Sequence, residues 1–431
     1  MKTKKIQYKK QSQYKKQIHK HTHKHTHKNN KKHYFYINKC KFDNLYLLDY
    51  KILENYLVKL GLHPDKMMSV IENNDKIIAK QHNISYEDFC KFTKKIKPSK
   101  INTKSIIADV FFYNINSDFL DKRFYPIQKY LVNILNIKFD NITKKDNIYT
   151  YLQSRKDFKE YEKYFIETFP INDFEKYKFP EYYILRPIDS FSGQGITYIK
   201  NKKELQKEIE NYKKLKNHKG VIYGNDVIAS PYITNLLLFQ GKKFHLRMYY
   251  IVSCINGVIN SFLLNNSDII TAEKPFDMEL PFTADKHDTH LKSSSIDLIF
   301  KEHFTSDNLG IEIIEEHKNK IYESSKKICK ILTEMIIEKS DCKKDCKKIL
   351  YPEQENGYHI FGLDIFVNKD FECILIECNE HTGFETFTEI GNQKLSNYIY
   401  KWINEIILEP LFKYNNPKIA RKHKTYIKIE N

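Results

Sequence analysis

The sequence predicts an α+β fold of two or three packed lobes, with a helical N-terminal region and disordered basic tails. Three observations carry this. The chain has 431 residues, 41% of them hydrophobic, which is enough for a sizeable core and too much for one small domain. From Tyr182 onward, short β-rich runs alternate with charged or amphipathic helical stretches. Late in the chain, Ile360–Val367 and Phe371–Glu377 read as paired antiparallel strands.

Four regions follow from the texture. Residues 1–36 form a Lys/His-rich tail containing HKHTHKHTHK from His19 to Lys28. It lacks apolar periodicity and cannot offset the entropy of ordering, so it reads as a solvated arm rather than a metal site. Residues 37–178 open with apolar residues at helical spacing (Leu45, Leu48, Leu53, Leu57 and Leu60) and a break at His63-Pro64-Asp65. Short strands and helices then alternate, including Ile106–Phe111, and Asn141–Tyr149 reads as a helix start with Asn or Thr caps.

Residues 179–412 read as a β-rich core. Its strands are Tyr182–Leu185, Ile196–Ile199, a run near Val227-Ile228, and Phe244–Val252. Its helices are Lys202–Leu215, Ile311–Glu338 and Leu395–Leu411. Ile321, Ile328, Ile331, Leu332, Met335 and Ile336 form a stripe on the second helix that suits a core contact. Residues 413–431 are a basic C-terminal tail.

The formal net charge is +18, from 72 Lys+Arg against 54 Asp+Glu. Such a surface attracts nucleic acid, anionic membrane or acidic protein tails. No apolar run reaches the roughly 18 residues of a membrane span, so no membrane partner is expected. The basic N-terminus has no apolar core after it and is not a secretory signal. Eight scattered cysteines show no disulfide framework. Cys342 and Cys346 lack an obvious second ligand pair and read as free thiols. A cytoplasmic location is the expectation.

Three elements carry chemistry. The first runs from Arg186 to Ile196, RPIDSFSGQGI. Ser192, Gly193, Gly195 and Ile196 form a loop between strands, where glycine lets backbone N–H groups approach a triphosphate; Arg186 just before it can reach a phosphate oxygen. No Gly-Lys-Ser/Thr follows, so this is not a Walker loop. The second pairs Asp364 with Glu377 and Asn379. Glu377 and Asn379 lie two apart on a strand and share a face. A two-residue turn at Lys369-Asp370 would place Asp364 opposite Leu375, on that same face. Such a hard-oxygen cluster suits Mg²⁺, with ATP phosphates supplying further ligands. The third is Gly241–Arg247, in which Lys243, His245 and Arg247 share a strand face and can line a phosphate or carboxylate site; an exposed basic edge strand is the alternative.

In order, these elements resemble the tubulin–tyrosine ligase-like family. Arg186 to Ile196 matches the family's Lys-Pro, five residues, Gly-x-Gly-Ile, with Arg for Lys. Tyr232–Leu238 running into Gly241–Arg247 resembles Tyr-Ile-x-Asn-Pro-Leu-Leu followed by Gly-x-Lys-Phe-Asp-x-Arg. Phe361–Asp364 and Leu375–Asn379 resemble its Phe-Gly-x-Asp and Leu-x-Glu-x-Asn strands. Ile142–Asp146 and Phe165–Pro170 resemble its Leu-Thr-Arg-Lys-Asp and Pro-Glu-Thr-Phe segments. The resemblance implies an ATP-grasp fold, two α+β lobes clamping ATP. It implies that Lys145 and Arg186 contact phosphates, that Tyr232 and Ile233 form a hinge against adenine, and that Lys243 and Arg247 face ribose, phosphates or an acceptor carboxylate. His245 joins this wall, Asp364, Glu377 and Asn379 hold Mg²⁺, and Arg247 and Glu377 are the catalytic candidates.

The activity implied is an ATP-dependent carboxylate–amine ligase working through an acyl phosphate, with an amino acid and an acidic protein tail such as tubulin as partners. The chain departs from the pattern in places. His245 stands where the family has Asp, Ser230-Pro231 where Gln-Lys precedes the hinge Tyr, and the arginine of the following strand has no match in Ile259–Asn265. These acceptor-side changes leave open an ATP-grasp enzyme acting on a small molecule, or a basic binding protein with a degenerate fold. Nucleic acid ranks last as a partner, because no aromatic-interleaved RNA motif is present.

Overall fold

A computed structural model of the chain describes residues 34–37, 50–64, 110–112, 129–132, 135–179, 181–188, 195–216, 227–279, 282–289, 298–342, 346–351, 354–380, 389–413 and 426–429. In chain order the strands are β1 (Tyr34–Ile37), β2 (His63–Pro64), β3 (Val110–Phe112), β4 (Lys129–Val132), β5 (Phe169–Pro170), β6 (Tyr183–Pro187), β7 (Thr197–Ile199) and β8 (Val227–Pro231). They continue with β9 (Leu238–Phe239), β10 (Lys242–Ile255), β11 (Val258–Pro275), β12 (Gln354–Val367), β13 (Cys373–Asn379) and β14 (Tyr426–Ile429). The longer helices are α1 (Tyr50–Lys59), α2 (Lys145–Gln153), α3 (Lys202–Lys216), α4 (Glu315–Lys339) and α5 (Glu389–Ile403).

Two sheets form, one for each expected lobe. The large sheet runs β14-β11-β10-β12-β4-β3-β1-β2, with β13 on β12 and β9 on β10. The small sheet is antiparallel, in the order β5-β8-β6-β7. β1 begins inside the stretch read as tail, and β14 lies in the C-terminal stretch, paired along β11. The His-rich arm, Ile106–Ala108 and most of the helical stretch 42–96 lie outside the described residues.

β10 and β11 are long because hydrophobic residues fill both faces and a tight turn joins them. Asn256 and Gly257 both take positive φ, 50° and 75°, as a two-residue hairpin turn of this kind requires. On β10 the even residues Phe244, Leu246, Met248, Tyr250 and Val252 pack with the α4 stripe Ile321, Ile328, Ile331, Leu332, Met335 and Ile336. Each fully buried aliphatic of this stripe contributes about 1.5–3 kcal/mol. The odd residues Tyr249, Ile251 and Ile255 pack with Leu53 and Leu57 of α1 and with Leu395, Ile399 and Trp402 of α5. Further back on the same odd face stand Lys243, His245 and Arg247. One strand face thus passes from core to site. The small lobe has its own core: Phe169, Tyr183, Leu185, Ile199, Val227 and Ala229, covered by Leu205 of α3.

Two helix expectations are corrected. Capping by Asn or Thr before residue 149 is replaced by a short helix, Asp140–Thr143, then α2 starting at Lys145, whose N-cap Lys144 makes no side-chain cap bond. The final helix is also split, into α5 and a π-helical stretch, Asn404–Lys413, that contains Pro410. Proline lacks the N–H and crowds the preceding turn, and the wider π turn relieves both.

Candidate active site

The site is a cleft between the two sheets. Its walls include Ile184 and Arg186 of β6, Ile196 and Tyr198, Pro231–Ile233, Lys243 of β10, His287–Thr289, Phe366 of β12, and Ile376-Glu377 of β13. Lys145 at the head of α2 also lines it. Tyr232 and Ile233 open the linker that leaves the small sheet at Pro231 and enters the large one at β9. The Tyr232 N–H is held by the Tyr182 carbonyl at 2.9 Å, and the Leu237 N–H by the Val367 carbonyl at 2.9 Å. The linker is therefore anchored to both sheets, as a hinge between lobes would be.

The cations are buried. Arg186 donates to Ser230 Oγ at 3.2 Å, and its Nε has no hydrogen-bond partner. Burial pulls its pKa down, and the Glu377 charge pulls it back up only in part. Lys243 lies 4.8 Å from the ring centres of both Tyr232 and Phe366. Burial brings its pKa from 10.5 down to about 7, against the attraction of Asp288 and with repulsion from Arg186 adding to the effect. Lys145 Nζ is 3.4 Å from Glu377 Oε2. The alternative of an exposed basic edge strand fails. β10 is paired on both sides, and Lys243, His245 and Arg247 are all buried. Two desolvated cations at one cleft make an environment that an anion relieves.

Asp364, Glu377 and Asn379 do converge, by a different register from the one expected. The turn between β12 and β13 is longer than two residues, with Val367 pairing Cys373 and Ile365 pairing Leu375. That register alone would place Ile376 opposite Asp364. A β-bulge after Leu375 restores the match, and Asp364 faces Glu377 directly. The bulge also brings Ile376, expected on the apolar face, to the cleft wall.

Asn379 Nδ2 reaches Asp364 Oδ2 at 3.2 Å and Glu377 Oε1 at 3.3 Å, so one amide bridges both carboxylates. Asp364 is fully buried and ion-paired to Arg247 through both guanidinium Nε and Nη2, the latter at 3.1 Å. His245 Nε2 stands 3.6 Å from Asp364 Oδ1, and its Nδ1 pairs with Thr289 Oγ1 at 2.6 Å. Three hard-oxygen side chains around one point fit a magnesium ion, provided that phosphate oxygens complete the shell. Among the described residues no group of three or more His, Cys, Asp or Glu side chains is placed to hold a metal unaided.

Gly195 has φ of +74°, a conformation glycine adopts without strain, and its carbonyl accepts from Tyr212 at 2.8 Å. Ile196 follows on the cleft wall. Ser192 and Gly193 lie outside the described residues. Sequence reasoning missed Tyr198, His287, Asp288 and Thr289. His287 ends a four-residue helix, Ala284–His287, too short to leave a periodic signal, and Asp288 and Thr289 follow it directly.

Two sheets facing a cleft are the arrangement expected of the ATP-grasp fold. The C-terminal domain of Pby1 from K. lactis, described as an ATP-grasp enzyme interacting with the mRNA decapping enzyme Dcp2, has a similar structure. The TM-score is 0.52 at 16% identity, over 93% of this chain and 99% of that one. The sequence model of the tubulin-tyrosine ligase family matches residues 111–411, and the chain belongs to that family. A probable tubulin–tyrosine ligase of Schizosaccharomyces pombe is 24% identical over 246 residues, which cover 53% of this chain and 57% of that relative. The chain thus spans little more than half the length of that relative. No described helix is long and apolar enough to cross a membrane.

Proposed function

We propose that the protein is an ATP- and magnesium-dependent ligase that joins a carboxylate to an amine, adding an amino acid to a protein tail. The buried Arg186 and Lys243, lining one cleft with Glu377, which Asn379 contacts, carry this reading. Family membership supports it. The net charge of +18 suits an acidic acceptor such as a tubulin tail.

In this reading Tyr232 and Ile233 receive adenine, while Arg186, Lys145 and the Gly195 loop hold the phosphates. Asp364, Glu377 and Asn379 would hold magnesium, which would neutralise charge on the transferring phosphoryl group. A carboxylate oxygen of the acceptor attacks the γ-phosphorus, the bond to the β-phosphate oxygen breaks, and ADP leaves. The amine nitrogen then attacks the acyl carbon, inorganic phosphate departs, and the amine loses a proton. No protein nucleophile is required. Arg247, held by Asp364, lends positive charge beside the reacting groups, and closure of two lobes keeps water from the acyl phosphate.

The test is thermal shift with MgATP on the native chain and on Glu377→Gln. Native protein should be stabilised by mass action, and the variant much less. Equal stabilisation of both would remove Glu377 from the site, and no shift in the native chain would end the enzyme reading.

A further inference from the structure

The register of four strands sets four charged side chains in one row across the large sheet. Asp268 of β11 pairs with Arg247 of β10, Arg247 with Asp364 of β12, and Asp364 with Glu377 of β13. Directly paired residues share a face, so Arg247 has a carboxylate on each side of it. Asp268 is the only charged residue of β11 between Val258 and Ala272, and it is half-buried. Just beyond Arg247 the pairing of β10 with β11 slips, between Met248 and Tyr250. There the hydroxyl of the buried Tyr249 donates to Asp268 Oδ2 at 2.6 Å. A bulge of this kind re-aims nearby side chains, and the Tyr249 bond fixes where Asp268 stands.

The carboxylate on the other side of Arg247 is heavily engaged. Arg247 donates through Nε to Asp364 Oδ1 and through Nη2 to Oδ2, the latter at 3.1 Å. Asn379 Nδ2 adds a second donor to Oδ2 at 3.2 Å, and His245 Nε2 stands 3.6 Å from Oδ1. Both oxygens therefore face donors, and Asp364 is fully buried. An oxygen committed to a guanidinium fork is a poor ligand for a hard cation.

On the reading that Asp364 helps to hold magnesium, Arg247 has to release at least one of these oxygens. A buried guanidinium that lets go of one carboxylate needs another acceptor, because an unpaired buried charge is costly. The row supplies it. Asp268 stands one strand away, about 4.8 Å across the sheet, within an arginine's reach. A carboxylate accepts several hydrogen bonds, so the Tyr249 bond does not exhaust it. We propose that Asp268 is a positioning residue that takes over Arg247 from Asp364, so that Asp364 can turn to magnesium while the guanidinium stays beside the reacting groups. This rests on the magnesium reading above.

The experiment titrates magnesium at fixed ATP against the native chain, Asp268→Asn and Asp268→Glu, and reads the ATP-induced thermal shift. Loss of a hydrogen bond between charged partners corresponds to about tenfold in affinity. Asp268→Asn should therefore need about tenfold more magnesium to reach half its shift, and should reach the native shift at saturation. Asp268→Glu, which keeps the charge, should recover part of the difference. Asp268→Ser gives a second reading should the asparagine variant not fold. An Asp268 that merely supports the sheet would lower the saturating shift and leave the magnesium midpoint where it is, and that result overturns the assignment. So does a variant indistinguishable from the native chain. A native chain that binds ATP without regard to magnesium, or binds none, overturns the reading on which this rests, and this assignment with it.

Discussion

Replacing Lys243 with methionine separates what the buried cation does for the empty protein from what it does for a bound anion. Its pKa falls from 10.5 to about 7 through burial. At 1.36 kcal/mol for each tenfold step, that sets a ceiling of about 5 kcal/mol on the stability the charged lysine removes. Contacts with the Tyr232 and Phe366 rings and the 3.3 Å bond to Tyr232 Oη offset part of this. A net gain of about 1–4 kcal/mol on Lys243→Met is the expected order, as for other buried charges replaced by apolar groups. The gain has a pH signature. Below pH 7 both folded and unfolded chains carry the Lys243 proton, and the deficit is present in full. As pH rises from 7 towards 10.5 the folded chain loses that proton before the unfolded one, and native stability recovers. The groups facing it are Asp288, Arg186, Tyr232 and His287. His287 is itself held neutral above about pH 4 by burial and by Lys243. Thermal melts at pH 6 and pH 9, with and without MgATP, check this. Lys243→Met should melt higher than the native chain at pH 6, by less at pH 9, and should lose most of its ATP-induced shift. A variant that melts lower at both pH values and keeps the full ATP shift would refute both the burial argument and the phosphate role.

Three further outcomes follow from named contacts. Asp364→Asn leaves the Arg247 guanidinium buried without its carboxylate, and should cost about 3–5 kcal/mol in urea unfolding. The double change Arg247→Met with Asp364→Leu should regain most of that stability without regaining MgATP binding. Leu332→Ala, in the α4 stripe and fully buried, should cost about 2–5 kcal/mol while leaving ATP affinity unchanged by calorimetry.

Much of this site was legible because its side chains sit on long strands. A period of two fixes which residues share a face, so Lys243, His245 and Arg247 could be grouped from sequence alone, as could Glu377 and Asn379. What could not be read was register. Asp364 meets Glu377 only because a longer turn and a bulge shift the pairing by one residue each, and the shifts add. A face assignment survives an even total displacement and fails on an odd one. The α4 stripe was equally plain, since six residues at helical spacing outweigh local exceptions. His287–Thr289 left no trace, because a four-residue helix between irregular segments has no period to detect. Their place in the cleft is set by two buried hydrogen bonds to residues 55 and 44 positions away.

The burial pattern also explains why the cations lie where two sheets meet. A surface lysine binds phosphate weakly, since water screens it and its own hydration must be given up. Arg186 and Lys243 have surrendered that hydration already, at a cost borne by the cores on either side: the apolar small sheet with α3, and the large sheet between α4 and α5. The stability surplus of these cores is what permits a strained, positively charged cleft between them. It follows that the cleft should be the least stable part of the empty protein and the part most stabilised by its nucleotide. In native-state hydrogen exchange, MgATP should therefore protect the 232–238 linker and the 282–289 segment far more than β10 to β12. Uniform protection across the large sheet would mean that the cations are not the weak point, and the argument from their burial would fail.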